Sequence, residues 1–227
     1  MMRRLEMVLS SIGKKELMAL TGLGFVGFLI VHLAGNFTLL WGAEAFDGYA
    51  STLESLGPLL SVAEWGMVGM AVVHVLTGLV LIYRNWIARG RGYAKKRVEG
   101  GRTFASWTMR LTGPWILVFV VLHLVHFTFP HKFIADSPNL SQMVAERLAD
   151  PIWAVYYILS VAIVGFHISH GFWSAFQTLG APIGGKGPFR EFANVLGIAV
   201  GLGFACLAFF VLAGKYLPEY LPAYLPK

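Results

Sequence analysis

Histidine is the residue with chemistry to offer in this chain. Leu20-Thr21-Gly22 is followed, after nine residues, by His32-Leu33, and the stretch reads LTGLGFVGFLIVHL. Ninety-one residues later the pattern returns as Leu111-Thr112-Gly113 and His123-Leu124, reading LTGPWILVFVVLHL. Each copy sets one imidazole among Leu, Val, Ile, Phe and Gly with no charge beside it. An ionisable group in such a run is costly to keep and marks a functional site by default. A second pair shares another pattern, His-x-x-x-Gly, as His74 to Gly78 and His167 to Gly171. A neutral imidazole can ligate a metal or relay a proton.

The elements that carry these residues are membrane spans. Of 227 residues, 56% are hydrophobic and 13% are charged, and the mean hydropathy is +0.65. A soluble domain carries about twice that charged fraction. Five segments reach the length of about 20 apolar residues that crosses a bilayer: roughly 17–41, 63–86, 110–130, 152–178 and 192–214. The expected fold is an all-α integral membrane protein, one membrane domain over residues 1–227. Spans one to four form a four-helix bundle from two hairpin repeats, and a fifth helix without histidine follows. The lone Cys206 excludes a disulfide framework and a CxxCH haem attachment. The N-terminal MMRRLEMVLSSIGKKELMAL lacks a short apolar region before a small-residue cleavage site and reads as a retained cytoplasmic segment.

Lys and Arg set the orientation. They gather in the N-terminal segment (Arg3, Arg4, Lys14, Lys15), between spans two and three from Arg84 to Arg110, and between spans four and five (Lys186, Arg190). The opposite side has only Lys132, Arg147, Lys215 and Lys227. The N-terminus is therefore expected in the cytoplasm and the C-terminus in the periplasm, where PEYLPAYLPK reads as a non-helical interfacial tail. No span holds an internal Asp, Glu, Lys or Arg, which argues against an ion-coupled transporter or proton pump.

Depth sorts the histidines into layers. His32 lies 17 residues past Lys15 and His123 lies 13 past Arg110, which is roughly 20–25 Å from the cytoplasmic edge. His74 precedes Arg84 by 10 residues, and His167 precedes Gln177 by 10, which is about 15 Å. Two layers of two facing imidazoles suit two bis-histidine haems b, with the four histidines as iron ligands. Glycines 22, 24, 27, 35, 66, 69, 78, 113, 165 and 171 would let a flat macrocycle approach the helices. The repeats select His123 over His126 and His167 over His170. The latter two are candidate propionate or water partners, as are Arg84, Arg102 and Arg110. The plainer readings are that a single intramembrane histidine is a hydrogen-bonded packing residue, and that the basic clusters only set topology. Matched depths in repeated units favour ligation.

The SSIGKKELMALTGL segment, GFLIVHLAGNFTLLWG with its His-Leu-x-Gly-Asn, LTGPWILVFVVLHL and FHISHGFWS together carry a resemblance over nearly the whole chain. The chain resembles the single-polypeptide di-haem cytochrome b anchors of succinate dehydrogenases and fumarate reductases. That resemblance implies a bacterial inner-membrane subunit holding a flavoprotein with FAD and an iron–sulfur protein on the cytoplasmic face, often as dimers of the whole complex. It implies electron passage between the iron–sulfur clusters, a proximal haem on His74 and His167, a distal haem on His32 and His123, and a quinone, usually menaquinone. Some members use an acid just after the first helix near the quinone; Glu44 and Asp47 are the candidates here, for proton exchange. Some carry a glutamate two residues before the fourth-helix ligand. Here that position is Gly165, which puts a transmembrane proton path in doubt. The alternatives are the cytochrome b subunit of a hydrogenase or formate dehydrogenase, and a histidine-lined metal transporter.

Overall fold

A computed structural model describes residues 10–87, 104–181 and 186–217. Arg3, Arg4, the basic connection holding Arg89 to Arg102, and the Pro-rich tail lie outside the described residues. The regular elements of the described residues are all helical, without strands. In chain order they form α1 (Ser11–Asn36), α2 (Ala43–Glu54), α3 (Pro58–Ile87), α4 (Phe104–His123), α5 (Phe129–Phe133), α6 (Leu140–Leu148), α7 (Pro151–Thr178) and α8 (Lys186–Tyr216). A 3-10 turn, Phe37–Trp41, extends α1, and a π-helical turn, Leu124–Thr128, joins α4 to α5.

Among the described residues, five helical stretches are long and apolar enough to cross a membrane: Ile12–Trp41, Pro58–Arg84, Thr108–Phe133, Pro151–Thr178 and Gly187–Tyr216. The chain is a multi-pass membrane protein. Most spans start a few residues before the sequence-based limits, because local caps rather than hydropathy set where they begin. Ser10 accepts from the Gly13 N–H at 3.0 Å and starts α1 ahead of its lysines. Asp150 accepts from the Ile152 N–H at 2.8 Å, with Pro151 in the first helical position, where a missing N–H costs nothing.

The spans do not pack alike. α7 and α8 share the broadest interface. It is built on Gly165, Gly197, Gly201 and Ser169, where the two backbones meet. Small residues four apart permit such an approach in lipid. α1 packs on α3 and α7, and α4 packs on α7, whereas α3 makes no substantial contact with α7 among the described residues. Val26, Val164, Ile168 and Val200 form one buried cluster where α1, α7 and α8 meet.

A second cluster closes the end of the bundle away from residue 10. Leu39, Phe46, Phe127, Met143, Leu148, Tyr157, Ala208 and Val211 are buried there. It joins the short helices α2 and α6, which lie in the first and third connections and are too short to appear in a search for spans. Asn139 and Gln142 form a capping box at the start of α6. Both Asp47 carboxylate oxygens reach Ser141, one from the backbone N–H at 2.9 Å and one from the hydroxyl at 2.6 Å. His131 pairs with Glu54 at 2.6 Å, and Lys132 pairs with Glu64.

Candidate functional site: two histidine layers

His32 on α1 and His123 at the end of α4 are both half-buried and face one another. Their ring centroids are 5.9 Å apart, with planes at 90°. Aromatic rings enclose the pair. Phe28 stacks on His32 at 5.2 Å, Phe204 tilts over it at 5.6 Å, and Phe127 meets His123 edge-on at 5.2 Å. His32 Nδ1 lies 3.4 Å from the Asn36 side-chain amide nitrogen, which also donates to the His32 carbonyl at 2.8 Å. His123 Nδ1 is buried and has no hydrogen-bond partner among the described residues.

His74 on α3 and His167 on α7, within electrostatic reach of one another, are the candidates for the second layer. Each imidazole rests on a threonine of the preceding membrane span, α1 for His74 and α4 for His167. Thr21 Oγ1 lies 3.0 Å from His74 Nδ1, and Thr112 Oγ1 lies 3.0 Å from His167 Nδ1. These are the two threonines of the repeated Leu-Thr-Gly motif. The His74 ring lies over the backbone of Gly22, where an added Cβ would stand 3.4 Å from His74 Cε1. His74 is level with Thr21, eleven residues from His32 on α1, so the layers are separated by about 16 Å of helical rise. That exceeds the 5–10 Å separation implied by the sequence depths, which were measured from basic residues that start at different heights on different helices.

The donor set fits a bis-histidine haem. Imidazole bonds to a first-row metal are about 2.0 Å, so two rings ligating one ion from opposite sides have centroids about 6 Å apart. The His32–His123 separation of 5.9 Å meets that spacing, and the unpartnered Nδ1 of His123 marks an imidazole whose neighbours do not satisfy it. In the other layer the threonines occupy Nδ1 and leave Nε2 as the ligating atom. Gly27, Gly113 and Gly171 face open space within 4 Å of where a Cβ would stand. Gly24 and Gly35 instead receive Met70 and Tyr49, and so serve helix packing.

The other candidates separate by position. The π-helical turn after His123 carries His126 onto α7, where Nδ1 lies 3.0 Å from the Tyr157 hydroxyl and the ring meets Trp153 at 4.5 Å. Arg147 lies over the Trp153 ring, 5.2 Å from its centroid. His170 is half-buried within electrostatic reach of Arg190. Arg110 is half-buried two residues before Thr112, whereas Arg84 is exposed at the end of α3. Glu44 is exposed in the first turn of α2, while Asp47 is tied to Ser141. Among the described residues no group of three or more His, Cys, Asp or Glu converges as a metal-ion cage.

Gly165 has a structural reason to lack a side chain. A Cβ there would lie 2.5 Å from the Gly197 carbonyl oxygen and 3.1 Å from Gly201 Cα. Position 165 faces the backbone of α8, so this chain has no room for a carboxylate at that point.

Thr21, Thr112 and Tyr157 were not singled out from the sequence. The threonines were visible in both repeats, but spacing along one helix does not reveal a contact to the next. Tyr157 carried no pattern at all.

No family model matches the chain, and no solved structure matches it. Two curated proteins do. The succinate dehydrogenase cytochrome b558 subunit of Bacillus subtilis (strain 168) is 29% identical over 174 residues, covering 74% of this chain and 80% of that protein. The succinate dehydrogenase hydrophobic membrane anchor subunit of Halobacterium salinarum is 36% identical over 63 residues, covering 28% of this chain and 48% of that protein. With five candidate spans, the chain is thus similar over most of its length to one succinate dehydrogenase membrane subunit and over a shorter stretch to another.

Proposed function

We propose that this chain is the di-haem cytochrome b anchor of a succinate:quinone oxidoreductase, passing electrons between an iron–sulfur subunit and a membrane quinone. The observation that carries the reading is the pair of histidine layers: His32 facing His123 at 5.9 Å, and His74 and His167 each held at Nδ1 by a threonine. A metal transporter would need a converging donor set along a path, and the described histidines are instead arranged in separate pairs.

Haem b, when bound, supplies reversible one-electron chemistry at a potential set by axial ligands and surroundings. The chain's own residues do the rest. His74 and His167 hold the layer nearer the N-terminal end of α1, and Arg110, two residues before Thr112, is the candidate partner for a propionate there. His32 and His123 hold the other layer among Phe28, Phe204 and Phe127, which keep water from it. With the N-terminus cytoplasmic, the first layer is proximal to a flavoprotein and iron–sulfur pair, and the second serves a quinone such as menaquinone at the periplasmic end. Glu44, exposed at that end, is free to exchange the protons of quinone turnover; Asp47 is engaged in joining α2 to α6.

The test is purification of the tagged chain from its native membrane. The expected result is co-purification of a subunit with covalent FAD, two haem b per chain, and succinate-driven reduction of a naphthoquinone. A hydrogenase or formate dehydrogenase partner in its place would overturn the proposal in favour of the other cytochrome b reading.

A further inference from the structure

Every intramembrane threonine can satisfy its own hydroxyl on the carbonyl one turn back. Thr21 does so: Oγ1 lies 2.7 Å from the Leu17 carbonyl oxygen and 3.2 Å from that of Met18. Both partners are acceptors only, and the hydroxyl has a single proton to give. The third contact of the same oxygen, 3.0 Å to His74 Nδ1, must therefore be donated by the imidazole. His74 is thereby held as the Nδ1–H tautomer, with its lone pair on Nε2. Thr112, itself buried, makes the matching contact in the second repeat, its Oγ1 3.0 Å from His167 Nδ1, and the repeat carries the same tautomer assignment over to His167. The two contacts link residues 53 and 55 positions apart, and each joins the two helices of one hairpin repeat.

The other layer is built differently. His123 Nδ1 has no partner among the described residues, and His32 Nδ1 faces an amide nitrogen. No hydroxyl serves either ring among the described residues.

We propose that Thr21 and Thr112 are positioning residues that fix the tautomer and ring orientation of His74 and His167, and tune the haem of that layer alone. The inference rests on the di-haem reading above. An acceptor on Nδ1–H makes the imidazole a stronger donor at Nε2 and stabilises the ferric state. Removing the acceptor raises that haem's potential and loosens its hold.

The experiment uses the whole complex carrying Thr21→Val, Thr112→Val, the double variant, and the Thr21→Ser and Thr112→Ser controls. The readouts are haem content, potentiometric titration of the α-band, the low-spin ferric EPR signals, and haem transfer to apomyoglobin. The expected result is a raised midpoint potential and a shifted EPR signal for one haem in each valine variant, larger in the double variant. Transfer of that haem becomes about tenfold faster. The second haem is unchanged, and serine restores the wild-type values. Loss of one haem in the valine variants with retention in the serine variants carries the same meaning. Unchanged potentials and EPR signals, equal shifts in both haems, or haem loss in serine and valine variants alike would overturn the inference. Fewer than two haems b in the wild-type complex would instead overturn the underlying reading, whatever the threonine variants do.

Discussion

Gly165 of α7 and Gly197 of α8 meet backbone to backbone, so closely that a Cβ on residue 165 would lie 2.5 Å from the Gly197 carbonyl oxygen. The contact sits two residues before His167 on α7. Helix association in lipid depends on such close packing rather than on a hydrophobic drive.

Gly165→Ala is therefore expected to push α7 from α8 and destabilise the bundle by about 1–3 kcal/mol. Gly165→Glu is expected to abolish assembly rather than to create a proton path. Thermal denaturation of the detergent-solubilised complex, followed by the haem Soret band, measures both. A stable Gly165→Glu complex would show that the helix contact is not obligatory.

Asp47 and Glu44 are expected to behave differently although they share one short helix. Asp47→Ala removes two hydrogen bonds from Ser141, and a lost bond to a charged group costs about 1.5–3 kcal/mol. The expected outcome is a lower melting temperature with the activity of the surviving complex retained. Glu44→Gln is expected to leave stability within about 0.5 kcal/mol and to slow quinone turnover. Unchanged quinone turnover in Glu44→Gln would remove Glu44 from the proton route.

His126 and His170 test the selection among histidines. His126 is bonded to Tyr157 and packed on Trp153, and His170 lies within electrostatic reach of Arg190. His126→Ala and His170→Ala are each expected to retain two haems by pyridine haemochrome. Loss of one haem from either variant would transfer a ligand role to that residue.

Ser160 is fully buried and accepts from the Trp115 indole N–H at 3.1 Å, tying α4 to α7. Ser160→Ala leaves that N–H unpaired in apolar surroundings, at a cost of about 1–3 kcal/mol. The expected readout is a lower Soret melting temperature with haem content unchanged. Wild-type stability would mean that the indole finds another acceptor.

The spans were legible because they are strong one-dimensional signals, and the histidines drew attention for the same reason. An apolar run of span length admits few readings, and a histidine inside one stands out. Legibility ended where contacts run between helices. Thr21 and Thr112 recur with the motif, yet their bonds to His74 and His167 depend on how α3 and α7 lie beside α1 and α4. The glycine set looked uniform in sequence, but Gly165 serves α8, Gly24 receives Met70, and Gly113 faces open space. The short helices α2 and α6 bury their apolar faces only against the closed end of the bundle, so hydropathy alone gave no sign of them.

The most direct measurement is haem stoichiometry in the purified complex with His32→Ala or His74→Ala. Bis-histidine ligation in two layers predicts two haems b in the wild type and one in each variant, with different α-band spectra for the haem that remains. Two haems in both variants, or the same haem lost from both, would contradict it.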